Sequence, residues 1–370
     1  MKKMILSLAI AAVTLCSCGV NEINENDDEP CEHRFIDSTY NLYNGGRIIY
    51  DYMNSVSMFT DFETMETVPL CSRPNCTHKN NECVAKLVGE IPVVYDDKLF
   101  YLTHEEGVTE IKKGEREFYI NSKLKSISLS SSEIITVTKF HDCAPQTDGG
   151  YYLYGKDLYF IATDMGAELN AYGSYIWSNV GGKQFLCSID LENEQYKNYG
   201  IIYDGDTQYE GAKNSRSAFI AGGSDSKINI FYSFLPETSS VNDDTTVKDF
   251  TMLDIDFDID TKRFSDGDII SPSFSDDECF VGYDNKKGIM IVDYNGRKKE
   301  FEVDDRDDVS VVNGKLFDVK KEIWIDLDSN KEYSMGKYSG YKAITLWNGY
   351  YILAKNTSTV KLTEEELRAL

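Results

Sequence analysis

The chain has 370 residues, of which 41% are hydrophobic, so it is long enough for one large repeat domain or two ordinary domains with a substantial core. Its 62 acidic and 38 basic residues give a formal net charge of −24. A negative excess of this size repels nucleic-acid phosphates and anionic lipid head groups, and the sequence contains no basic cluster that would offset it. We therefore expect no nucleic-acid partner.

The chain begins with the pattern of an export signal. Lys2 and Lys3 precede an apolar run from Met4 to Leu15, which is too short to form a permanent transmembrane helix. We therefore predict a signal peptide over residues 1–17.

The end of this apolar run resembles the lipobox of bacterial lipoproteins. Leu15 lies three residues before Cys18, and the small Ser17 lies directly before it. The resemblance implies that Cys18 is acylated, for example with palmitate, and becomes the new N-terminus. The protein would then be anchored by its lipid to the extracytoplasmic face of a cell membrane. Cys16 fits the pattern less well because the bulky Leu15 would precede it, and an ordinary secreted protein cut near the same point is the alternative.

Residues 18–32 combine the lipidated cysteine with a polar, acidic stretch that has nothing to bury, so we predict a disordered tether. Removal of residues 1–17 takes away Lys2 and Lys3 and no acid, which leaves 36 basic against 62 acidic residues and a formal charge of −26. The membrane would therefore be reached through the lipid and not through the charge of the protein.

A repeated pair of hairpins organises the rest of the chain. Its clearest copy is segment 311–333, in which apolar and polar residues alternate around Asn313-Gly314 and around an Asp/Ser/Asn cluster that begins at Asp326. The second hairpin of each unit carries an Asp, or a residue in its place, at Asp61, Ser128, Asp190, Asp258, Asp293, Asp326 and Lys361. These positions are 67, 62, 68, 35, 33 and 35 residues apart.

Two hairpins per unit predict four antiparallel strands, and seven such units predict an all-β protein with the architecture of a β-propeller over residues 33–370. Seven blades fit best, six or eight are alternatives, and a front half that forms a separate β-sandwich is a further alternative. The last unit lacks a fourth strand, because residues 363–366 have the sequence of a capping box that begins a helix. We expect residues 33–38 to supply the missing strand and close the ring.

The spacings above 60 indicate insertions in blades 1–4. The extra residues fall between second and third strands, at 104–116, 164–182 and 236–247, and in crossings between blades, at 71–90, 141–148 and 204–216. Both kinds of connection lie on one face of a propeller, which we call the inserted face. Repeat proteins usually bind their ligands through such insertions, so the inserted face is the predicted binding surface.

The most specific local motif contains three thiols and one imidazole within thirteen residues: Cys71, Cys76, His78 and Cys83. These are the donor types of a closed zinc site, and zinc is the one cofactor that the sequence suggests. The alternative in an exported protein is a disulfide that fastens the loop. Seven of the nine cysteines lie beyond residue 18, and this odd number leaves at least one thiol unpaired or bound to something else.

The same segment reads Leu-Cys-x-x-Pro-x-Cys-x-His followed by a further Cys. It resembles a segment of predicted β-propeller surface lipoproteins of anaerobic bacteria. The resemblance covers the signal, this segment and the style of the repeat. It implies the fold and the location of the protein, and that family has no characterised activity to carry over.

Two groups of residues in the insertions are further candidates for a ligand face. The first group has imidazoles and carboxylates that suit a divalent metal ion, and consists of His104, Glu105, Glu106, His141 and Asp142, with His78 nearby. The second group offers an aromatic platform for a sugar ring or a peptide, and consists of Tyr172, Tyr175 and Trp177. For the first group, the alternative is that the histidines are solvent-exposed loop residues without a ligand. For the second group, the alternative is that the aromatic side chains pack against strands.

Catalytic motifs are absent from the sequence: there is no Gly-x-Ser-x-Gly, no phosphate-binding loop and no His-Glu-x-x-His. Catalytic residues therefore stay unassigned. We predict a membrane-anchored lipoprotein whose propeller binds a ligand, either a glycan or a protein. A binding function is favoured over an enzymatic one. A glycosidase or polysaccharide lyase that acts from the inserted face, and a structural or sensory component of an envelope complex, are the alternatives.

Overall fold

The structure is a computed structural model that describes residues 33–71, 76–79, 83–89, 91–112, 115–128, 133–140, 143–146, 149–163, 168–169, 175–176, 184–202, 216–224, 226–234, 251–266, 279–284, 289–294, 297–303 and 308–370. The predicted signal peptide, Cys18 and the tether lie outside these residues, so lipid anchoring stays a prediction. The helices formed by the described residues are all too short or too polar to cross a membrane.

The described residues form thirty strands and two short α-helices, which confirms the prediction of an all-β protein. The strands are β1 (His33–Ile36), β2 (Leu42–Tyr43), β3 (Gly46–Asp51), β4 (Val56–Asp61), β5 (Thr67–Pro69), β6 (Val93–Tyr95), β7 (Lys98–Lys112), β8 (Glu115–Ser128), β9 (Ile134–Phe140), β10 (Ala144–Pro145), β11 (Tyr151–Tyr154), β12 (Asp157–Thr163), β13 (Glu168–Leu169), β14 (Tyr175–Ile176), β15 (Gln184–Asp190), β16 (Tyr196–Ile201), β17 (Arg216–Ser224), β18 (Lys227–Phe234), β19 (Thr251–Asp258), β20 (Arg263–Asp266), β21 (Cys279–Asp284), β22 (Ile289–Tyr294), β23 (Arg297–Glu302), β24 (Val309–Val312), β25 (Lys315–Asp318), β26 (Ile323–Asp326), β27 (Lys331–Ser334), β28 (Lys342–Trp347), β29 (Tyr350–Lys355) and β30 (Ser358–Leu362). The helices are α1 (Val84–Leu87) and α2 (Glu364–Arg368), and a 3-10 helix covers Gly336–Tyr338.

Seven antiparallel sheets follow one another along the described part of the chain. In chain order they are β2–β5, β6–β9, β11-β12-β15-β16, β17–β20, β21–β23, β24–β27 and β28–β30. β1 and β10 join the third of these sheets, and β13 pairs with β14 as a separate hairpin. Five of the seven sheets contain the four-strand meander that the repeat predicts.

The repeated aspartate has the same role in four sheets. Its carboxylate accepts a hydrogen bond from the backbone N–H three residues later: Thr64 to Asp61 (2.7 Å), Asn193 to Asp190 (2.9 Å), Thr261 to Asp258 (2.7 Å) and Ser329 to Asp326 (2.9 Å). The next residue in each turn has a positive φ, at Met65, Glu194, Lys262 and Asn330. Aspartate suits this position because its short side chain satisfies a turn N–H that lacks a strand partner. The repeat in the sequence is therefore a repeat of turn chemistry.

The residue after each of these aspartates is a buried hydrophobic residue that joins the two turns of its sheet. Its N–H donates to a carbonyl in the turn between the first and second strands: Phe62 to Gly45 (2.9 Å), Leu191 to Lys156 (2.9 Å), Ile259 to Ser226 (2.6 Å) and Leu327 to Gly314 (2.9 Å). Both turns therefore lie at one end of each sheet, which we call the turn end. The second-to-third connections and the crossings leave the opposite end, which corresponds to the inserted face.

Hydrophobic clusters fill the space between neighbouring sheets. Within the described residues, six such junctions contain buried members from both sheets, for example Ile48 and Leu99, Phe100 and Phe160, Tyr159 and Phe257, Val292 and Val311, Phe317 and Tyr351, and Phe62 and Ile352. The last of these junctions joins the seventh sheet to the first. Lys361 of β30 strengthens it by donating to the carbonyls of Phe62 (3.1 Å) and Glu63 (2.7 Å).

The prediction that residues 33–38 complete the last sheet is wrong. β1 pairs with β11 of the third sheet, with His33 opposite Tyr154 at one end and Ile36 opposite Tyr151 at the other.

The side chains of β1 explain this position. Arg34 donates to the carbonyls of Leu42 (2.9 Å) and Val94, which belong to β2 and β6. Phe35 packs against a cluster of the third and fourth sheets and against the cluster that joins the last sheet to the first. β1 therefore lies where the first strands of several sheets converge. An outer edge would have left the guanidinium without these carbonyls and the phenyl ring in water.

The C-terminal helix forms as the sequence predicts. The Thr363 hydroxyl accepts from the N–H of Glu366 (3.2 Å), and the Glu366 carboxylate accepts from the N–H of Thr363 (2.8 Å), which together make a capping box. Arg368 then fastens the helix to the sixth sheet by donating to Asp326 (2.7 Å) and to the Tyr333 hydroxyl (2.8 Å).

Where the structure describes the insertions, they form β-hairpins and not irregular loops. β7 and β8 continue through segment 104–116 as one long hairpin, with Glu110 opposite Arg116 near its tip. Segment 164–182 contributes β13 and β14. Segments 204–215 and 236–247 lie outside the described residues.

Candidate metal centre

The crossing from the first sheet to the second carries the four predicted metal-donor side chains. Cys71 follows the last residue of β5 by two positions, and Cys83 directly precedes α1. The Cys83 carbonyl accepts from the N–H groups of Lys86 (2.9 Å) and Leu87 (3.0 Å), so this cysteine is fixed to the first turn of the helix. His78 has a φ of 55°, a left-handed conformation that is uncommon for residues other than glycine.

The donor atoms of these four residues converge. The sulfur atoms of Cys71, Cys76 and Cys83 and a ring nitrogen of His78 all lie within 4.8 Å of one another. Nδ1 of His78 lies 3.3 Å from Sγ of Cys83. Tetrahedral zinc, with bonds of about 2.3 Å to sulfur and about 2.0 Å to nitrogen, separates its donors by about 3.5–3.8 Å. A small contraction of the cluster would therefore complete a zinc site.

The cluster sits on an apolar floor. Cys83 is fully buried, whereas Cys71, Cys76 and His78 are half-buried. Val56 and Ala85 pack with Cys83, so the first sheet and α1 together exclude water from one side of the cluster. Such a floor holds the thiols in place and raises the strength of their interaction with an ion.

The surroundings of Cys83 disfavour an isolated thiolate. Burial, together with hydrogen bonds with Cys76 and Cys71, raises the pKa of the Cys83 thiol to about 11. A thiolate at this position is therefore unfavourable at neutral pH unless positive charge lies beside it. A divalent ion supplies that charge and would bind the deprotonated thiols.

The donor set also indicates what the ion would do. Three thiolates and one imidazole fill all four positions of a tetrahedral zinc ion, so no position remains for a water or a substrate. This is the arrangement of structural zinc sites and not of catalytic ones. The predicted disulfide alternative would use two of the three thiols and leave the third beside His78 without a role. The five cysteines whose side chains the structure describes are all thiols.

A turn beside the centre exposes two large apolar side chains that the sequence analysis missed. Tyr52 is 64% and Met53 93% exposed, in the connection between β3 and β4. Asp51 holds this turn, because its carboxylate accepts from the N–H of Met53 (3.0 Å) and from both N–H groups of Asn54 (3.3 Å backbone, 2.6 Å side chain). The side-chain hydrogen bond from Asn54 lowers the pKa of Asp51. The turn lies at the same end of the first sheet as the cluster, because Val56 of β4 packs against Cys83.

The other predicted ligand-face residues are only partly described. His104, Glu105 and Glu106 lie in β7, where they pair with Ser122, Asn121 and Ile120 of β8. Tyr175 lies in β14 opposite Leu169. His141, Asp142, Tyr172 and Trp177 lie outside the described residues, so the second metal site and the aromatic platform stay predictions.

The fold and this centre define the chain as an all-β protein of successive antiparallel sheets with a four-donor cluster in its first crossing. No family model and no curated protein matches the chain. Solved structures do show similarity. One is oligogalacturonate lyase from Vibrio parahaemolyticus, at 8% identity and a TM-score of 0.38, covering 90% of this chain and 92% of that one. Another is Porphyromonas gingivalis dipeptidyl peptidase 4, at 9% identity and a TM-score of 0.38, covering 90% of this chain and 52% of that one.

A third similar structure is the tricorn protease, at 8% identity and a TM-score of 0.31. The match covers 92% of this chain but only 28% of the protease, so this chain spans little more than a quarter of that relative. Identities and TM-scores at this level do not transfer an activity, a substrate or a metal to this chain.

Proposed function

We propose that the protein is a membrane-anchored, extracytoplasmic β-propeller of seven blades that binds a glycan or a protein through its inserted face. The observation that carries the proposal is the joint placement of the metal-donor cluster and the exposed Tyr52–Met53 turn at the same end of the first sheet. The metal-donor cluster would fix the local backbone, and the Tyr52–Met53 turn would contact the ligand.

The sequence of sheet contacts supports the seven-bladed ring. Hydrophobic clusters join the first four sheets in order and the last three sheets in order, and the seventh sheet packs on the first through the cluster that contains Phe62 and Ile352. A propeller needs this last contact because radial closure is what protects the edges of its sheets. A front half that formed an independent sandwich would have no reason to pack on the last sheet.

The cluster supports a structural zinc ion. The described residues of the crossing 71–90 include the short helix α1, and the crossing connects two sheets that pack through Ile48 and Leu99. An ion held by four side chains would fix this crossing, and a closed coordination shell favours a structural over a hydrolytic role. This favours a binding protein over a metal-dependent glycosidase or lyase.

The position of β1 supports an orientation relative to the membrane. His33 pairs with Tyr154, which directly precedes the turn between β11 and β12, so the chain enters the array at the turn end. A lipid on Cys18 would therefore attach at that end. The opposite end, with the metal centre and the insertions, would face away from the membrane and toward a ligand.

The Tyr52–Met53 turn has the properties of a contact surface. An aromatic ring and a flexible thioether supply large contact areas at interfaces, and the turn is already ordered by Asp51 before any ligand binds. A binding partner would therefore gain apolar contact without having to order this backbone.

Binding can be tested with three forms of the protein on a glycan array and a peptide array. These are the wild type, the double variant Tyr52→Ser with Met53→Ser, and a control in which the exposed Ile134 and Ile135 at the turn end of the second sheet become serine. We expect binding by the wild type and the control, and a loss of at least tenfold in the Tyr52/Met53 variant. Equal binding by all three forms, or no binding on either array, would contradict the proposal.

Anchoring can be tested in cells by labelling with a palmitate analogue. We expect label on the wild type and on Cys16→Ser, and none on Cys18→Ser. Label that persists in Cys18→Ser would refute the lipobox assignment.

A further inference from the structure

A second pair of cysteines lies far from the metal-donor cluster. The Sγ atoms of Cys143 and Cys187 both contact the hydroxyl oxygen of Tyr196, at 3.3 Å and 3.1 Å. The two thiols are also within hydrogen-bonding reach of each other. Forty-three residues separate them in the sequence, so only the fold brings them together.

The pair joins two different parts of the third sheet. Cys187 belongs to β15, opposite Phe160 of β12. Cys143 directly precedes β10, which comes out of the crossing from the second sheet and pairs with the far end of β12. A bond between them would therefore fasten this crossing to the centre of the third sheet.

The surroundings hold the two thiols in a fixed relation. The Tyr196 ring packs edge-on against Phe140 of the second sheet, with centroids 5.5 Å apart, and is stacked with Phe160 of the third at 6.4 Å. Cys143 and Cys187 belong to the same hydrophobic cluster, which fills the junction of these sheets. The aromatic rings therefore limit the movement of the hydroxyl that both sulfur atoms contact.

The two thiols differ in access. Cys187 is fully buried, whereas Cys143 is half-buried. Hydrogen bonding with Cys143, and then burial, raise the pKa of the Cys187 thiol. A thiol-reactive compound would therefore meet Cys143 first, because the thiolate is the nucleophile and must be reachable.

We propose that Cys143 and Cys187 form a redox-active dithiol that is closed to a disulfide by a low-molecular-weight disulfide, for which oxidised glutathione serves as the probe. The Cys143 thiolate attacks one glutathione sulfur, forms a mixed disulfide and releases the first glutathione. The Cys187 thiolate then attacks the Cys143 sulfur, forms the protein disulfide and releases the second glutathione. Two protein thiols lose two electrons and two protons, and one glutathione disulfide becomes two glutathione thiols.

The two sites together use five of the seven cysteines beyond residue 18. Three thiols belong to the metal-donor cluster and two to this pair, which leaves Cys31 and Cys279. The proposal is independent of the metal centre, because no residue is shared between the two sites. Loss of one site should therefore leave the chemistry of the other unchanged.

The full chain, purified in detergent with its metal in place, is incubated with oxidised glutathione, alkylated, digested and mapped by mass spectrometry. We expect a cross-linked peptide that joins Cys143 to Cys187, and a melting temperature that rises by several degrees and returns on reduction. Alkylated Cys143 and Cys187 after oxidation, or a cross-link from either one to Cys71, Cys76 or Cys83, would overturn the proposal.

Two variants test the order of the steps. Cys187→Ser should stop at the mixed disulfide and carry glutathione on Cys143, whereas Cys143→Ser should react at least tenfold more slowly because Cys187 is buried. Faster labelling of Cys187 than of Cys143 would contradict the assigned roles. If either variant fails to fold, peptide mapping of the wild type still tests the proposal.

Discussion

Replacement of Asp326 by alanine should destabilise the protein much more than the same change at Asp258. Both aspartates occupy the same position of the repeated turn and accept a hydrogen bond from the N–H three residues later. Asp326, however, is also the partner of two cations. Its carboxylate lies 3.4 Å from Nζ of Lys315 and 2.7 Å from Nη2 of Arg368, and the side chains of Asp326 and Lys315 are only 5% and 8% exposed.

The size of the effect follows from these contacts. Burial alone would raise the pKa of Asp326, but hydrogen bonds from Ser329 and the charge of Lys315 lower it from 3.8 to about 2. That shift corresponds to about 2 kcal/mol of stabilisation of the ionised form. Asp326→Ala also leaves the buried Lys315 with Glu364, which is more exposed, as its one acidic partner among the described residues. Removal of one partner of a buried ion pair costs about 3–5 kcal/mol of stability. We therefore expect a loss of about 3–5 kcal/mol for Asp326→Ala.

The pH dependence has a definite sign. Because the folded pKa of Asp326 lies below its unfolded value, its contribution is complete above pH 3.8 and is lost as the pH falls through about 2. Asp326→Asn keeps the size of the side chain but lacks this charge. The difference in stability between the wild type and Asp326→Asn should therefore shrink between pH 5 and pH 2.

Urea unfolding followed by fluorescence at pH 7 measures these differences. Asp258→Ala is the matched control, because it removes the turn hydrogen bond without touching a buried lysine, and it should cost clearly less than Asp326→Ala. Equal losses for the two variants would refute the buried ion pair. A wild-type advantage over Asp326→Asn that does not change with pH would refute the lowered pKa.

Three further variants test the fold. Gly314→Ala should destabilise the protein more than Gly349→Ala. Both glycines have φ above +60°, but a Cβ at Gly314 would lie 2.6 Å from the Tyr294 ring, whereas a Cβ at Gly349 would meet nothing within 4 Å. The Gly349 change should therefore cost only about 1–2 kcal/mol of stability, the amount that a left-handed backbone requires. Equal unfolding midpoints for the two would contradict the packing of the fifth sheet on the sixth. Arg34→Ala should lower the melting temperature by several degrees because it removes the donors to the Leu42 and Val94 carbonyls. The control is Arg297→Ala, which changes an exposed arginine. Equal melting temperatures for the two variants would contradict the position of β1. Thr363→Ala should cost about 1 kcal/mol through loss of the helix cap, and an unchanged unfolding midpoint would show that α2 does not contribute to stability.

Local chemistry is the part of the structure that the sequence predicts. Asp61, Asp190, Asp258 and Asp326 are recognisable because a turn of fixed geometry needs an acceptor at one position and a positive φ four residues later. The α2 cap at Thr363 follows from its four-residue pattern for the same reason. These features depend on residues that are neighbours in the chain.

The features that the sequence did not predict depend on distant residues. β1 has only four residues, and its partner is decided by Arg34 and Phe35 meeting groups from several sheets. The cysteines of the metal-donor cluster could be found from their spacing, because thirteen residues contain all four donors. Cys143 and Cys187 could not, because the fold alone brings them to Tyr196.

The metal centre can be tested directly by measuring zinc and reactive thiols on the same sample of purified protein. We expect one equivalent of zinc, protection of Cys71, Cys76 and Cys83 from alkylation, and release of all three thiols together with the metal on chelation. Cys76→Ser should lower both the zinc content and the melting temperature, whereas Cys143→Ser should leave the zinc content unchanged. A protein without zinc whose cluster thiols alkylate freely, or in which two of them are joined by a disulfide, would rule out a structural zinc ion at this cluster.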